Sequence, residues 1–264
     1  MRFFVLLLVI TISNPSFSQK IKHASPPGLK KGFNSEVKTI TFYAKDSVII
    51  TADTYFLPVR KVGLKNASPM VLLCHQAGFS RGEYLKTAKK LNALGFSCMA
   101  IDQRSGKEVN GIVNETAKDA DAKGMNVGYK GAKKDVNAAI DYLYNLNGNQ
   151  PIILVGSSYS ASLALWIGSE NTKVKAVAVF SPGEYLRNLN LAETIKTLSI
   201  PTFVTSSKRE TEPVEKLMRF VKANYVTHFK PQVRGVHGSR AVWNTTEGHE
   251  DYWNAFKAFM LANK

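Results

Sequence analysis

From residue 70 onward the hydrophobic positions follow two alternating patterns. Short unbroken apolar runs read as strands buried on both faces: Met70 to Cys74, Cys98 to Ile101, Ile152 to Val155, Val174 to Phe180 and Thr202 to Thr205. Between them lie segments with helical spacing. Ser80 to Leu94 repeats apolar residues at Tyr84, Ala88, Leu91 and Leu94, and Gly95 ends it. Lys133 to Leu146 sets Val136, Ile140 and Leu143 on one face. Ala161 to Ile167 is an apolar helix, and residues 188–197 are helical. Pro213 to Ala223 reads as a helix with Pro in its first turn, and Asp251 to Leu261 as the closing helix. His228 to Val233 is a last, weaker strand interrupted by Pro231. Ahead of this series, Val37 to Tyr43 and Val48 to Phe56 flank Lys45-Asp46-Ser47 and predict a hairpin. Residues 58–69 read as a loop, and residues 103–129, with four Gly, as a long irregular connection. Strands alternating with helices imply a mainly parallel sheet covered on both faces, here with antiparallel strands added at the start. No linker or repeat divides residues 37–264, which are expected to form one α/β domain.

The first residues follow a different rule. Arg2 precedes an apolar run from Phe3 to Ile12, Ser13-Asn14-Pro15 breaks it, and Ser16 and Ser18 are small. This is the pattern of a secretory signal peptide over residues 1–18, cut before Gln19. Residues 19–36, with Pro26-Pro27-Gly28, form a flexible leader. The protein is therefore expected outside the cytoplasm, in a periplasm or beyond. Ten apolar residues are too few to span a bilayer, so no stable membrane insertion is expected after cleavage.

Formal net charge is +15, and cleavage would remove only Arg2, leaving +14. The Lys residues are scattered and not interleaved with aromatics, so no nucleic-acid partner is expected. Cys74 and Cys98 lie in strand-like runs. Export permits a disulfide, but the positions suit buried free thiols on neighbouring strands. No metal-ligand spacing, phosphate loop or dinucleotide fingerprint occurs, so no metal or cofactor is expected.

Chemistry concentrates in Ile152-Ile153-Leu154-Val155-Gly156-Ser157-Ser158-Tyr159-Ser160-Ala161. The order strand, Gly, x, Ser, x, small residue, helix is that of a nucleophile elbow. The turn is so tight that residues two before and two after the Ser must be small, as Gly156 and Ser160 are. Ser158 is the expected nucleophile, and Ser157 is the rival hydroxyl. The general base should sit on a loop near the strand ends. His237, in Gly235-Val236-His237-Gly238-Ser239, fits best, and His249 is second. His23 falls in the leader, while His75 and His228 suit structural roles. The acid should follow the strand Thr202 to Thr205, where Glu210 is the first candidate and Glu212 the second. Two backbone N–H groups should cradle an oxyanion. One is that of Tyr159. The other should come from the loop His75-Gln76-Ala77-Gly78, from Ala77 first and Gln76 next.

The segments His75-Gln76-Ala77-Gly78, Gly156-Ser157-Ser158-Tyr159-Ser160 and Gly235-Val236-His237-Gly238-Ser239, in this order, resemble the α/β-hydrolase superfamily. The similarity is to its dienelactone-hydrolase-like and small serine esterase branch, over roughly residues 37 to 262. It implies hydrolysis of esters, thioesters, lactones or amides through an acyl-enzyme. Ser158 would attack, His237 would relay the proton and Glu210 would orient His237. Three positions depart from the pattern: Ser160 for the second elbow Gly, Gln76 for the Gly after the loop His, and Glu for Asp as the acid. Dienelactone hydrolases proper use Cys where this chain has Ser158, which favours a serine esterase. The short span from Phe180 to Pro201, where lids usually enter, implies little or no lid and an open site. The leading expectation is a secreted serine hydrolase acting on a small or medium carboxylic ester. A peptidase or amidase of the same fold is the alternative within the class, and an inactive binding protein the alternative outside it.

Overall fold

The computed structural model describes residues 36–58 and 69–264. The expected signal peptide, the leader up to residue 35 and most of the 58–69 loop lie outside the described residues. β1 (Lys38–Tyr43) and β2 (Ile49–Tyr55) form the antiparallel hairpin, with Lys38 opposite Thr54 and Tyr43 opposite Ile49. Then come β3 (Met70–Cys74), α1 (Leu85–Ala93) entered through a 3-10 turn at Arg81–Tyr84, and β4 (Ser97–Ile101). A two-residue-per-strand hairpin, β5 (Glu108–Val109) and β6 (Ile112–Val113), leads to α2 (Glu115–Ala122) and α3 (Lys133–Leu146). The remainder is β7 (Ile152–Ser157), α4 (Tyr159–Glu170), β8 (Val174–Phe180), α5 (Leu191–Thr194), β9 (Thr202–Thr205), α6 (Thr211–Met218), β10 (Val226–Phe229) and α7 (His249–Ala262).

Eight strands form one sheet in the order β1-β2-β4-β3-β7-β8-β9-β10. The pairs β1/β2 and β2/β4 are antiparallel, and every later pair is parallel. The parallel strands therefore end along one edge, and the loops that follow β3, β7, β8 and β9 meet there. Successive strand residues point to opposite faces, and each face has its own core. Leu72, Ile152, Leu154, Val177 and Val179 pack with Val136, Ile140, Leu143, Leu163 and Ile167 of α3 and α4. Val71, Leu73, Ile153, Val155, Ala178 and Phe203 pack with Ala88 and Leu91 of α1 and Phe256, Phe259 and Met260 of α7. Cys74 and Cys98 are free, buried and on adjacent strands, and burial pushes both thiols well up.

Four expected elements change. The helix over residues 188–197 narrows to α5 and a 3-10 turn at Ile195–Thr197. Residues 103–129 are not an irregular connection, because they hold the β5/β6 hairpin and α2. The Asn114 side chain caps α2 by accepting the Ala117 N–H at 2.8 Å. The buried residues of α2 are Thr116 and Ala120, too small to print a hydrophobic period on the sequence. α6 starts two residues before Pro213 and stops at Met218. The last strand is Val226–Phe229, in parallel register with Thr202–Thr205, and ends before Pro231, whose nitrogen has no proton to donate. Between β8 and β9 only α5 and one 3-10 turn intervene, so no lid is inserted at that point of the chain.

Candidate active site

The turn between β7 and α4 holds Ser158 at φ 58°, ψ −122°, a backbone that a non-glycine residue rarely adopts. Neighbouring hydrogen bonds fix it. Its N–H donates to Phe180 O at 2.8 Å, and its carbonyl accepts the Ala161 N–H at 2.9 Å. A Cβ on Gly156 would run into the backbone of Ser160 and Ala161, which is why the first small residue is glycine. Ser160 uses its hydroxyl across the turn, donating to His75 O at 2.5 Å and accepting from Gln103 Nε2 at 2.6 Å. The departure from glycine thus ties the elbow to the loop after β3.

The structure brings Ser158, His237 and Glu210 together from three loops at the carboxyl ends of the strands. His237 Nε2 lies 2.8 Å from Ser158 Oγ, and His237 Nδ1 lies 2.6 Å from Glu210 Oε1. Glu210 Oε2 accepts the Ser207 hydroxyl at 2.7 Å, the Ser207 N–H at 3.1 Å and the Ser181 hydroxyl at 2.9 Å. Burial pushes the Glu210 carboxyl up. The hydrogen bonds from His237, Ser207 and Ser181 outweigh burial and hold it at about 2. Ser181 also accepts the Gly238 N–H at 3.0 Å, so one hydroxyl supports both the acid and the loop of the base.

The other candidates fall elsewhere. Glu212 is exposed and pairs with Lys216 one helical turn on. His249 opens α7, and among the described residues no hydrogen bond joins it to Ser158, whose Oγ meets His237. His75 is fully buried; its Nδ1 faces Gln76 O at 2.8 Å and its Nε2 accepts the Gln103 N–H at 3.0 Å. Burial lowers it to about 4, so it is a neutral loop organiser. Ser157 is buried and accepts the Ser239 N–H at 2.8 Å, away from His237 Nε2.

Tyr159 begins α4, so its N–H has no acceptor one turn back within the helix. The Ala77 N–H has no protein acceptor among the described residues. The Gln76 N–H, the other expected donor, is already engaged by the buried carboxyl of Glu83 at 2.7 Å. Sequence reasoning passed over Ser181 and Glu83. It also passed over the Ser207-x-x-Glu210 spacing, a capping box that favours Glu210 over Glu212.

Two clefts flank this edge, with Tyr129 in the lining of both. One, of about 500 Å³, is lined by Tyr129, Lys130, Tyr185, Arg187, Asn126 and Asn188. The other, of about 580 Å³, includes Gly78, Ser105, Gly106 and Val113. The Tyr129 ring stacks on Tyr159 at 4.3 Å, and the Tyr185 ring stands edge-on to His237 at 6.4 Å. Among the described residues, no group of three or more His, Cys, Asp or Glu is placed to hold a metal ion, and no helix is long and apolar enough to cross a membrane.

The strand order, the elbow after β7 and the loops gathered over it define an α/β-hydrolase. The chain belongs to the hydrolase family described as serine aminopeptidase, S33, whose model matches residues 65–259. Solved structures of the same fold include the Pyrococcus furiosus esterase Pf2001, at 16% identity and a TM-score of 0.64, covering 91% of this chain and 96% of that one. A dienelactone hydrolase from Anabaena variabilis matches at 15% identity and a TM-score of 0.60, covering 87% and 96%. A thermostable carboxyl esterase from Bacillus coagulans matches at 12% identity and a TM-score of 0.62, covering 86% and 98%. No curated protein matches the chain.

Proposed function

We propose that this protein is an exported serine hydrolase that cleaves small or medium carboxylic esters through an acyl-enzyme. The observation that carries the reading is the unbroken chain Ser158 Oγ, His237 Nε2, His237 Nδ1, Glu210 Oε1, at 2.8 and 2.6 Å. Ser158 Oγ attacks the ester carbonyl carbon while His237 Nε2 takes its proton. The carbonyl oxygen becomes an oxyanion facing the N–H groups of Tyr159 and Ala77. Collapse breaks the acyl–alcohol bond, and the leaving alcohol takes the proton from His237. Water then attacks the acyl-enzyme with His237 again as base, releasing the acid and restoring Ser158. Glu210, ionised throughout, holds the imidazole tautomer and stabilises the imidazolium.

An ester is favoured over a peptide with a free amino terminus by the cleft beside His237. Its lining includes Lys130 and Arg187, cations that repel an α-ammonium group, while the second cleft sets Glu108 and Asp121 among Arg104, Lys107 and Lys118. The esterases and dienelactone hydrolase of the same fold are consistent with that preference, although the family's description is an aminopeptidase. Export rests on the N-terminal sequence pattern.

The test is fluorophosphonate labelling of the purified protein, peptide mapping, and a panel of esters and aminoacyl amides. A tag on Ser158 with ester turnover is expected. A folded protein that takes no tag would favour the binding-protein reading. Turnover of aminoacyl amides alone would favour the peptidase.

A further inference from the structure

A buried carboxyl outside the chain of Ser158, His237 and Glu210 touches the oxyanion loop, the elbow and the loop of the base. Glu83, in the 3-10 turn before α1, is 1% exposed. Its Oε2 accepts the Gln76 N–H at 2.7 Å, from the loop that carries the Ala77 N–H. Its Oε1 accepts the Ser239 hydroxyl at 2.6 Å, two residues beyond His237. The Ser239 N–H donates to Ser157 Oγ at 2.8 Å, next to Ser158, and the Ser157 hydroxyl also faces the Glu83 carboxyl. Packing at the junction leaves no slack. A Cβ on Gly238 would fall 2.7 Å from Ser157 Oγ and clash with the Gln76 side chain. Among the described residues Glu83 makes no ion pair, although the charge of Arg240 reaches it.

A fully buried carboxyl without a salt-bridge partner is costly unless its oxygens are well satisfied. Here the acceptors meet donors from the oxyanion loop and from the loop of the base. We propose that Glu83 is a positioning residue that joins these two loops across the elbow. By occupying the Gln76 N–H it also leaves the Ala77 N–H as the donor facing the oxyanion. The proposal rests on the serine-hydrolase reading above. It goes beyond it by assigning the geometry of the oxyanion loop to a residue that never meets substrate.

Glu83→Gln, Glu83→Ala and Ser239→Ala are the variants of choice. A glutamine can still accept the Gln76 N–H through its amide oxygen and donate to Ser239 Oγ, so it should rescue. Alanine removes both links, and Ser239→Ala removes one while sparing the buried carboxyl. The readouts are the fluorophosphonate labelling rate at Ser158, kcat and KM for an ester, and thermal unfolding. Glu83→Ala should label and turn over about 100-fold more slowly, comparable to losing one oxyanion donor, with KM within about threefold. Ser239→Ala should lose about tenfold and Glu83→Gln less than that. If Glu83→Ala does not fold, Ser239→Ala carries the test. Labelling of the folded variants at the wild-type rate, or a loss confined to KM, would overturn the proposal while leaving the serine reading intact. A wild-type protein that takes no label would overturn both.

Discussion

His237 Nδ1 and Glu210 Oε1 are 2.6 Å apart, and the Glu210 carboxyl is held at about 2 against an ordinary 4.5. A carboxyl lowered by folding stabilises the native state above its unfolded value. That stability drains away as pH falls from about 4.5 toward 2. The full shift corresponds to about 3 kcal/mol, and solvent screening of this partly exposed pair brings the expected contribution to about 1–3 kcal/mol. Urea unfolding at a series of pH values should show that slope in the wild type and a much flatter one in Glu210→Gln. The same variant should lose on the order of 10²–10⁴-fold in kcat at neutral pH, because the imidazole loses its orienting partner.

Ser158 and His237 act as one unit in this reading, so their effects should not add. Ser158→Ala and His237→Ala are each expected to lower ester turnover by about 10⁴-fold or more, and the double variant should be no slower than either. Ser157→Ala should stay within about tenfold of wild type, since its hydroxyl only receives the Ser239 N–H and faces Glu83. Glu212→Gln should be indistinguishable from wild type, because that side chain is exposed. Steady-state kinetics on the five variants decides among these outcomes. A dead Ser157→Ala beside an active Ser158→Ala would shift the nucleophile by one residue.

Much of this arrangement is legible in the sequence. β3, β8, β9 and α3 have the bounds their apolar runs predict, because elements that bury large side chains print their period on the chain. The elbow was legible for steric reasons, since only small residues fit at Gly156 and Ser160. What escaped notice depends on groups distant in sequence. Glu83 meets Ser239 156 residues away, and Ser181 meets Glu210 29 residues away, through hydroxyls that occur at many positions. α2 escaped because Thr116 and Ala120 bury little surface. The choice between Glu210 and Glu212 was half legible: the spacing from Ser207 to Glu210 is a local signal, but the position of the His237 ring is not.

Arg104 offers a stability test outside the hydrogen-bonded chain of Ser158, His237 and Glu210. It is 2% exposed and pairs with Asp135 at 2.6 Å and Asp46 at 2.8 Å, joining α3 to the turn of the first hairpin. Burial pushes the Asp135 carboxyl up, and Arg104 opposes that push. Arg104→Ala leaves a buried carboxyl without its cation and should cost about 3–5 kcal/mol in urea unfolding. Adding Asp135→Asn removes that charge, so the double variant should be less destabilised than the sum of the singles. Strict additivity would mean that the two side chains are not energetically coupled.

Acyl length should be the simplest discriminator of substrate. No lid lies between β8 and β9, so little apolar surface closes over a bound chain. The cleft beside His237 has a volume of about 500 Å³ and is lined with Lys130, Arg187, Asn126 and Asn188 as well as Tyr129 and Tyr185. Each methylene buried from water contributes about 0.8 kcal/mol. That gain is available only as far as Tyr129 and Tyr185 extend. Beyond the rings a longer chain meets amides, cations and solvent. With p-nitrophenyl esters from acetate to palmitate, kcat/KM should rise over the first few carbons, level off and then fall. Tyr129→Ala should flatten the early rise by removing the ring that stacks on Tyr159. A profile that climbs steadily to palmitate would require a long apolar channel and would assign the protein to lipid esters instead.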